Sequence, residues 1–319
     1  MQSLECLDIQ KINSKNINEI GEINDSSLPM AEFFERLGHK IISSPLAMWY
    51  DVQPHVLLSF PYYKLIEPTE EELESLVRIH KLRAIRYPTM LNKFGYISNI
   101  AINTSPDYDL SHLRSKARNL TRRGLENNKV EQVDFEYLID KGLPLNEDTA
   151  RRQGRESQYT DPNYWRKYCL AAKATNGVSA FGAFVQGQLS AFLVAIECGD
   201  WVEWVVNHSS TGLQNKRSNN ALVFCAAQHF FQEKKRKGIC YGLGSLEQSD
   251  SLDHYKSTMG WQLEPVKQRL IFSRNLHYIF SNINEPCLKI LGKLFPKSYT
   301  IRKTSAMIRL YRQQSFNSP

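Results

Sequence analysis

Apolar positions in this chain recur at every second residue in some stretches and every third or fourth in others, and the switches mark its elements. Residues 1 to about 28 keep no apolar period and read as a polar lead-in. From His39 to Ile66 the runs HKIISS, LAMWYDV and HVLLSF predict strands, punctuated by Pro45, Pro54 and Pro61. Thr69 before EEELESLVRIHKL predicts a capped helix, with Glu72 completing a capping box. Phe94 to Ile102 returns to strand. The segment DLSHLRSKARNLTRRGLENN predicts a helix whose buried face carries Leu110, Leu113, Ala117 and Leu120. A short strand, VEQVDF, and helices around 147–156 and 162–174 lead into three strands: VSAFGAFV, QLSAFLVAIE and WVEWVVNHS, the first two joined at Gln186-Gly187. A long helix over 219–237 closed by Gly238, a strand ICYGL, a helix LDHYKSTM and a strand KQRLIFS follow. The stretch 276–312 reads as two basic helices flanking Pro296.

Strands, helix and strand occur in that order twice, which predicts an α+β (mixed α/β) fold and is compatible with two copies of one mixed unit. The expected divisions are the lead-in (1–28), a first half (29–108), a basic connecting helix (109–129), a second half carrying the site (130–275) and a basic helical tail (276–319).

Composition narrows the class only mildly. With 319 residues, 42% apolar and 23% charged, the chain can fill ordinary cores. A net charge of +7 favours anionic partners. The six cysteines include no Cys-x-x-Cys pair, so neither a disulfide framework nor a zinc site is expected. Cys225 and Cys240 fall at apolar positions and read as small buried hydrophobes. No signal-like or membrane-spanning apolar run is visible, which predicts a cytoplasmic protein. The eight histidines are dispersed, and no G-x-S-x-G elbow or Walker lysine is present, so no metal is expected.

Candidate chemistry concentrates in residues 216–261. Ser218 or Asn219 can cap the long helix, leaving free N–H groups at Asn220 and beyond. With Lys216 and Arg217 in front, that terminus suits a pyrophosphate, although a plain cap reads the same. Gly242 and Gly244 would admit a ligand close to the backbone, or simply make a turn. Lys256, on a helix with Leu252 and Tyr255 on its apolar side, is either a cation for a developing oxyanion or a snorkelling surface lysine. Glu203 is a charge inside an apolar strand: a general base, or a residue on a solvated face. Arg114, Arg118 and Arg122 form a stripe at i, i+4, i+8 with few acids nearby, which suits a polyanion or a solvated surface.

Two of these segments together resemble a family. LSHLRSKARNLTRRGLENNKVE is similar to the R-x-x-I-R-x-a-x-x-x-G-v signature of the Fem-type acyltransferases, a branch of the GNAT superfamily. ALVFCAAQHFFQEKKRKGICYGLGSL with LDHYKSTMGW resembles that branch's closing helix, strand and F-K-x-x-x-G-[FW] motif, Tyr255 standing where phenylalanine is usual. The resemblance spans about residues 95–275. It implies two GNAT-like halves, a role in acyl transfer for Lys256, and a C-terminal segment that packs back on the first half. The Q/R-x-x-G-x-G/A pyrophosphate loop is missing before Asn219. Fem-type enzymes proper use aminoacyl-tRNA and their relatives acyl-CoA, so the donor stays open, with acyl-CoA (acetyl-CoA) preferred. The resulting expectation is transfer of an acyl group to an amine or hydroxyl of a small-molecule, sugar or cell-envelope precursor. The alternatives are an aminoacyl-tRNA-dependent transferase forming a peptide bond and a non-catalytic basic binding module.

Overall fold

A computed structural model of the chain describes residues 27–154, 156–244, 250–282 and 299–316. Nearly all of the polar lead-in, together with Pro296 between the two tail helices, lies outside these residues. The chain opens with α1 (Leu28–Arg36) and runs through β1 (Ile41–Ser43), β2 (Met48–Gln53), β3 (Val56–Phe60), α2 (Glu70–Ile79), β4 (Ala84–Thr89) and β5 (Tyr96–Asn103). After α3 (Ser115–Asn127) come β6 (Lys129–Gln132), α4 (Phe135–Lys141), α5 (Leu143–Arg152), α6 (Pro162–Lys173), β7 (Val178–Val185), β8 (Gln188–Cys198) and β9 (Trp201–Ser209). The last elements are α7 (Ser218–Gln228), β10 (Gly238–Leu243), α8 (Asp250–Thr258), β11 (Gln262–Phe272), α9 (Arg274–Asn282) and α10 (Tyr299–Arg312).

All eleven strands join one mixed sheet, in the order β1-β2-β3-β4-β11-β5-β10-β9-β8-β7-β6. The fold is therefore α+β, as the alternating periods predicted. The order carries a crossover that no local pattern announces: β11 inserts between β4 and β5, and β5 sits between β11 and β10. Strands from early and late in the chain thus share one ladder, and the last strand of the first stretch lies inside the second.

Helices cover both faces. One core gathers α1, α4 and α6 with β8, through Phe33, Phe34, Leu138, Trp165, Tyr168 and Phe192. The opposite core packs α3 and α7 on β7–β9, through Ala117, Leu222, Phe224, Phe230 and Trp204. A smaller cluster seats α10 on β4, β5 and β11, through Ala84, Tyr96, Leu270, Ala306 and Leu310.

Several elements differ from the sequence pattern. The buried side of α3 carries Ala117, Thr121 and Gly124 and not Leu120, while Leu110 belongs to a separate 3-10 turn, Leu110–His112, and the buried Leu113 lies between that turn and the helix. The helix expected over 219–237 ends as α7 at Gln228 and continues only as a five-residue π turn, His229–Glu233. Lys234–Lys237 lie beyond it, where Arg236 pairs with Glu197 and Lys237 with Asp200. Gly238 opens β10 instead of closing a helix, and it is glycine because a Cβ there would sit 2.5 Å from the Trp201 ring. α1 and β4 have no counterpart among the predicted elements, and the β4 run AIRYPT holds Pro88, a residue that seldom lies inside a sheet.

Candidate functional site

The site grows from a break in the sheet. β9 and β10 run parallel and pair only at Trp201–Gly238, Val202–Ile239 and Glu203–Cys240. Past that point each strand carries an irregularity against its other neighbour: β9 holds an extra residue between Trp204 and Val206 opposite β8, and β10 an extra residue between Cys240 and Leu243 opposite β5. Bulges bend and twist a strand. The carboxyl ends of two adjacent parallel strands therefore diverge, the position at which open α/β sheets receive ligands.

Lys256 reaches this opening from α8. It is buried, with 4% exposure, whereas Leu252 on the same helix is 43% exposed, so the snorkelling alternative does not hold. Its Nζ donates to the Tyr241 carbonyl at 3.0 Å and lies 4.9 Å from the centre of the Tyr241 ring. That carbonyl belongs to the bulged residues of β10. Burial pushes the Lys256 pKa down, and Asp253 and Cys240 partly restore it.

Glu203 is fully buried, which removes the solvated-face alternative. Its Oε1 accepts the Tyr63 N–H at 3.1 Å, while Oε2 is buried with no partner. Burial raises its carboxyl pKa to about 8, against the lowering effect of hydrogen bonds from the Cys240 thiol and the Tyr63 and Tyr62 backbone. Cys240 stands between the two candidates: it contacts Glu203 and feels the charge of Lys256, and burial holds its thiol well above the usual range. It is thus a buried hydrophobe, as expected, but one inside the polar site.

A cleft of about 240 Å³ opens at the start of α7, walled by Arg152, Ser209, Ser210, Leu213, Gln214, Arg217, Ser218, Asn219, Asn220 and Tyr255. The cap differs from expectation. Arg217, in the left-handed region at φ +57°, is the N-cap, and no side chain caps the helix. Such a backbone conformation costs a non-glycine residue about 1 kcal/mol or more, and strain of this kind collects at ligand sites. Arg217 Nε, Ser218 Oγ and Asn219 Oδ1 are all buried without partners. The Asn219 amide donates to Tyr255 Oη at 3.0 Å, which ties the cleft to the helix that carries Lys256.

Of the other candidates, Asn220 lines the cleft and donates to the Met259 sulfur. Lys216 lies beside it, with its carbonyl taken by Asn128 Nδ2 at 2.8 Å. Gly242 adopts φ +86° at the bulge, and a Cβ there would meet nothing within 4 Å, so its glycine serves the backbone and not a close approach. Gly244 is packed on β5, where a Cβ would fall 2.6 Å from Ser98 Oγ. Arg114 precedes α3 and reaches Ser257 Oγ at 3.2 Å, and Arg118 folds back onto the Ser111 and Leu113 carbonyls. Arg122 stays at the surface beside Asn119. The stripe is therefore divided, two of its three members being used in the local fold.

Sequence reasoning overlooked Arg152, Asp253, Tyr241 and the Tyr62-Tyr63 pair. The last carried no signal, since it belongs to the loop after β3 and meets Glu203 only through the fold. Among the described residues, no group of His, Cys, Asp or Glu is placed to hold a metal ion, and no helix is long and apolar enough to cross a membrane.

No protein-family model matches the sequence, and no curated protein matches it. Solved structures do resemble it. The crystal structure of FemX matches at 12% identity with a TM-score of 0.54, over 79% of this chain and 92% of that one. L-PGS from Bacillus licheniformis matches at 15% identity and a TM-score of 0.51, over 82% and 96%. The C-terminal domain of a protein provisionally assigned as a lysylphosphatidylglycerol synthetase from Agrobacterium fabrum matches at 10% and 0.53, over 83% and 94%. At such identities these likenesses speak of the fold alone, which this chain shares with FemX and the two synthetase structures.

Proposed function

We propose that the protein is an acyltransferase that moves an acyl group from an activated donor to an amine or hydroxyl, with the acyl carbon held where β9 and β10 part. The observation that carries this reading is the buried Lys256 at the mouth of that opening, one helix away from an uncapped helix start lined by Arg152 and Arg217. Helix starts and arginines favour phosphate, so the cleft suits the phosphate-bearing part of the donor, with acyl-CoA as the preferred one. The acceptor nucleophile attacks the acyl carbonyl, its new bond to carbon replaces the bond to the leaving sulfur, and Lys256 offsets the charge that develops on oxygen. Glu203 takes the proton from the acceptor. With its carboxyl near pH 8, it is mostly protonated at neutral pH, so the base form and the rate increase as pH rises toward about 8.

The second reading, with aminoacyl-tRNA as donor, is favoured by one observation: Lys116, Arg122 and Arg123 on the outer side of α3 are exposed, and no ion pair among the described residues engages them. The fold is also that of FemX. It requires the acceptor stem to lie along α3. Nothing specific favours a binding module without catalysis.

Transfer of a labelled acyl group from acyl-CoA to a panel of amines and sugars tests the proposal. Lys256→Ala is expected to lower the rate about 100-fold or more, the usual loss on removing an oxyanion donor. Undiminished transfer by that variant would remove Lys256 from the mechanism.

A further inference from the structure

β5 comes from the first stretch of the chain, yet it pairs with β10 and β11 from the second. Asn99, on β5, bonds both to Gly244, just after β10, and to α8. Its carbonyl accepts the Gly244 N–H at 2.7 Å, where β10 has just ended. Its side-chain Nδ2 donates to Asp253 Oδ2 at 2.9 Å, on α8. Asp253 is one helical turn before Lys256, so the two side chains share a face. Gly244 is held further on its carbonyl by Gln268 Nε2 at 3.2 Å and Arg86 Nη2 at 3.4 Å, and Gln268 Nε2 also donates to Ser98 Oγ at 2.6 Å. The end of β10 is thus fixed from β4, β5 and β11 together.

We propose that Asn99 is a positioning residue for Lys256: it holds the Asp253 carboxylate beside the buried ammonium and fixes the start of the connection that brings α8 into the site. A side chain from one half of the chain thereby sets the charge on the key lysine of the other. This rests on the reading of Lys256 given above.

The physical need is clear. A lysine with 4% exposure loses hydration, which favours its neutral form, and a neutral amine would not offset an oxyanion. The groups facing it are Asp253 on its own helix and, on β10, the Tyr241 carbonyl and ring and the Cys240 thiol, behind which stands Glu203 on β9. Glu203 is mostly protonated at neutral pH and the thiol is kept neutral by burial. Asp253 is the facing carboxyl group on the lysine's own helix, it counters the effect of burial on Lys256, and the Asn99 amide holds its orientation.

The test follows the Lys256 Cε chemical shift through a pH titration of lysine-labelled full-length protein, with Lys256→Arg identifying the signal. Asn99→Ala and Asp253→Asn are each expected to lower the Lys256 titration midpoint by about one pH unit, the lower end of the effect of a nearby opposite charge. The double variant is expected to go no lower than Asp253→Asn. Should Asn99→Ala fail to fold, Asn99→Ser keeps a polar side chain at the position but one too short to hold Asp253, and it is expected to give the same displacement. A midpoint unchanged in the Asn99 variants, or additive losses in the double variant, would overturn the proposal. The readout needs no substrate. A displaced midpoint in a protein that transfers nothing sinks the acyltransferase reading while the positioning role stands, and active protein with an unmoved midpoint does the reverse.

Discussion

Glu203 illustrates how one side chain links burial, pH and chemistry. Burial raises its carboxyl pKa from an ordinary value near 4.5 to about 8. Between these two values the unfolded chain has lost a proton that the folded chain keeps, so the slope of unfolding free energy with pH is negative for this group. Glu203 therefore makes the fold progressively less stable as pH rises from about 4.5 to about 8, and adds no further loss above that. Glu203→Gln removes this contribution. In urea titrations the variant is expected to gain on the wild type at pH 9 relative to pH 5, and an equal difference at both would contradict a raised carboxyl pKa. The residue types were legible in the sequence: a lysine before Gly-Trp and a glutamate inside an apolar strand. Their burial was not. Lys256 is inside and Leu252 outside because the β10 bulge frees a carbonyl for the lysine, and no helical period records a bulge on another element.

At the level of elements, the approach of α3 to the start of α7 decides the shape of the cleft. Gly124 is the contact: a Cβ at this position would lie 2.7 Å from the Arg217 carbonyl and 3.2 Å from the backbone nitrogen of Ala221. Asn128, at the end of α3, holds the same turn through the Lys216 carbonyl. Gly124→Ala must push the turn that carries Arg217. We expect about 1–3 kcal/mol of destabilisation from overpacking, together with weaker donor binding. A melting temperature and affinity equal to the wild type would show that the turn is not set by α3. The sequence gives both helices, but their contact could not be read from it. No local pattern says what a glycine at 124 would meet, and the missing side-chain cap on α7 reversed what Ser218 and Asn219 suggested.

The whole molecule depends on the interleaved strands, and the C-terminal segment closes them. Beyond Gln268, β11 has no partner on the β5 side. There the Gln314 side chain takes the place of a strand, its Oε1 accepting the Leu270 N–H at 2.8 Å and its Nε2 donating to the Leu270 carbonyl at 3.0 Å. The neighbouring Ser315 pairs with Gly95 and accepts from Lys267, a lysine with no exposure, at 2.9 Å. Truncation after Arg312 strands that ammonium and reopens the edge. A loss of about 2–4 kcal/mol is expected, read as a lower urea midpoint, and an unchanged midpoint would contradict the role of the segment. Periodicity supplied the α+β class and most of the strands, since each depends on its own residues. It could not supply the insertion of β11 between β4 and β5, which is a pairing between distant segments.

The central claim is that the opening between β9 and β10, with the cleft at α7, receives an acyl donor for Lys256. Calorimetric titration of acetyl-CoA into wild-type, Arg217→Ala and Lys256→Ala protein tests it most directly. Saturable binding to the wild type is expected, weakened about tenfold or more by Arg217→Ala through loss of a charged hydrogen bond, and little changed by Lys256→Ala, whose part is played in the transition state. Absence of saturable binding, or equal affinity in the Arg217 variant, would contradict the assignment of this site.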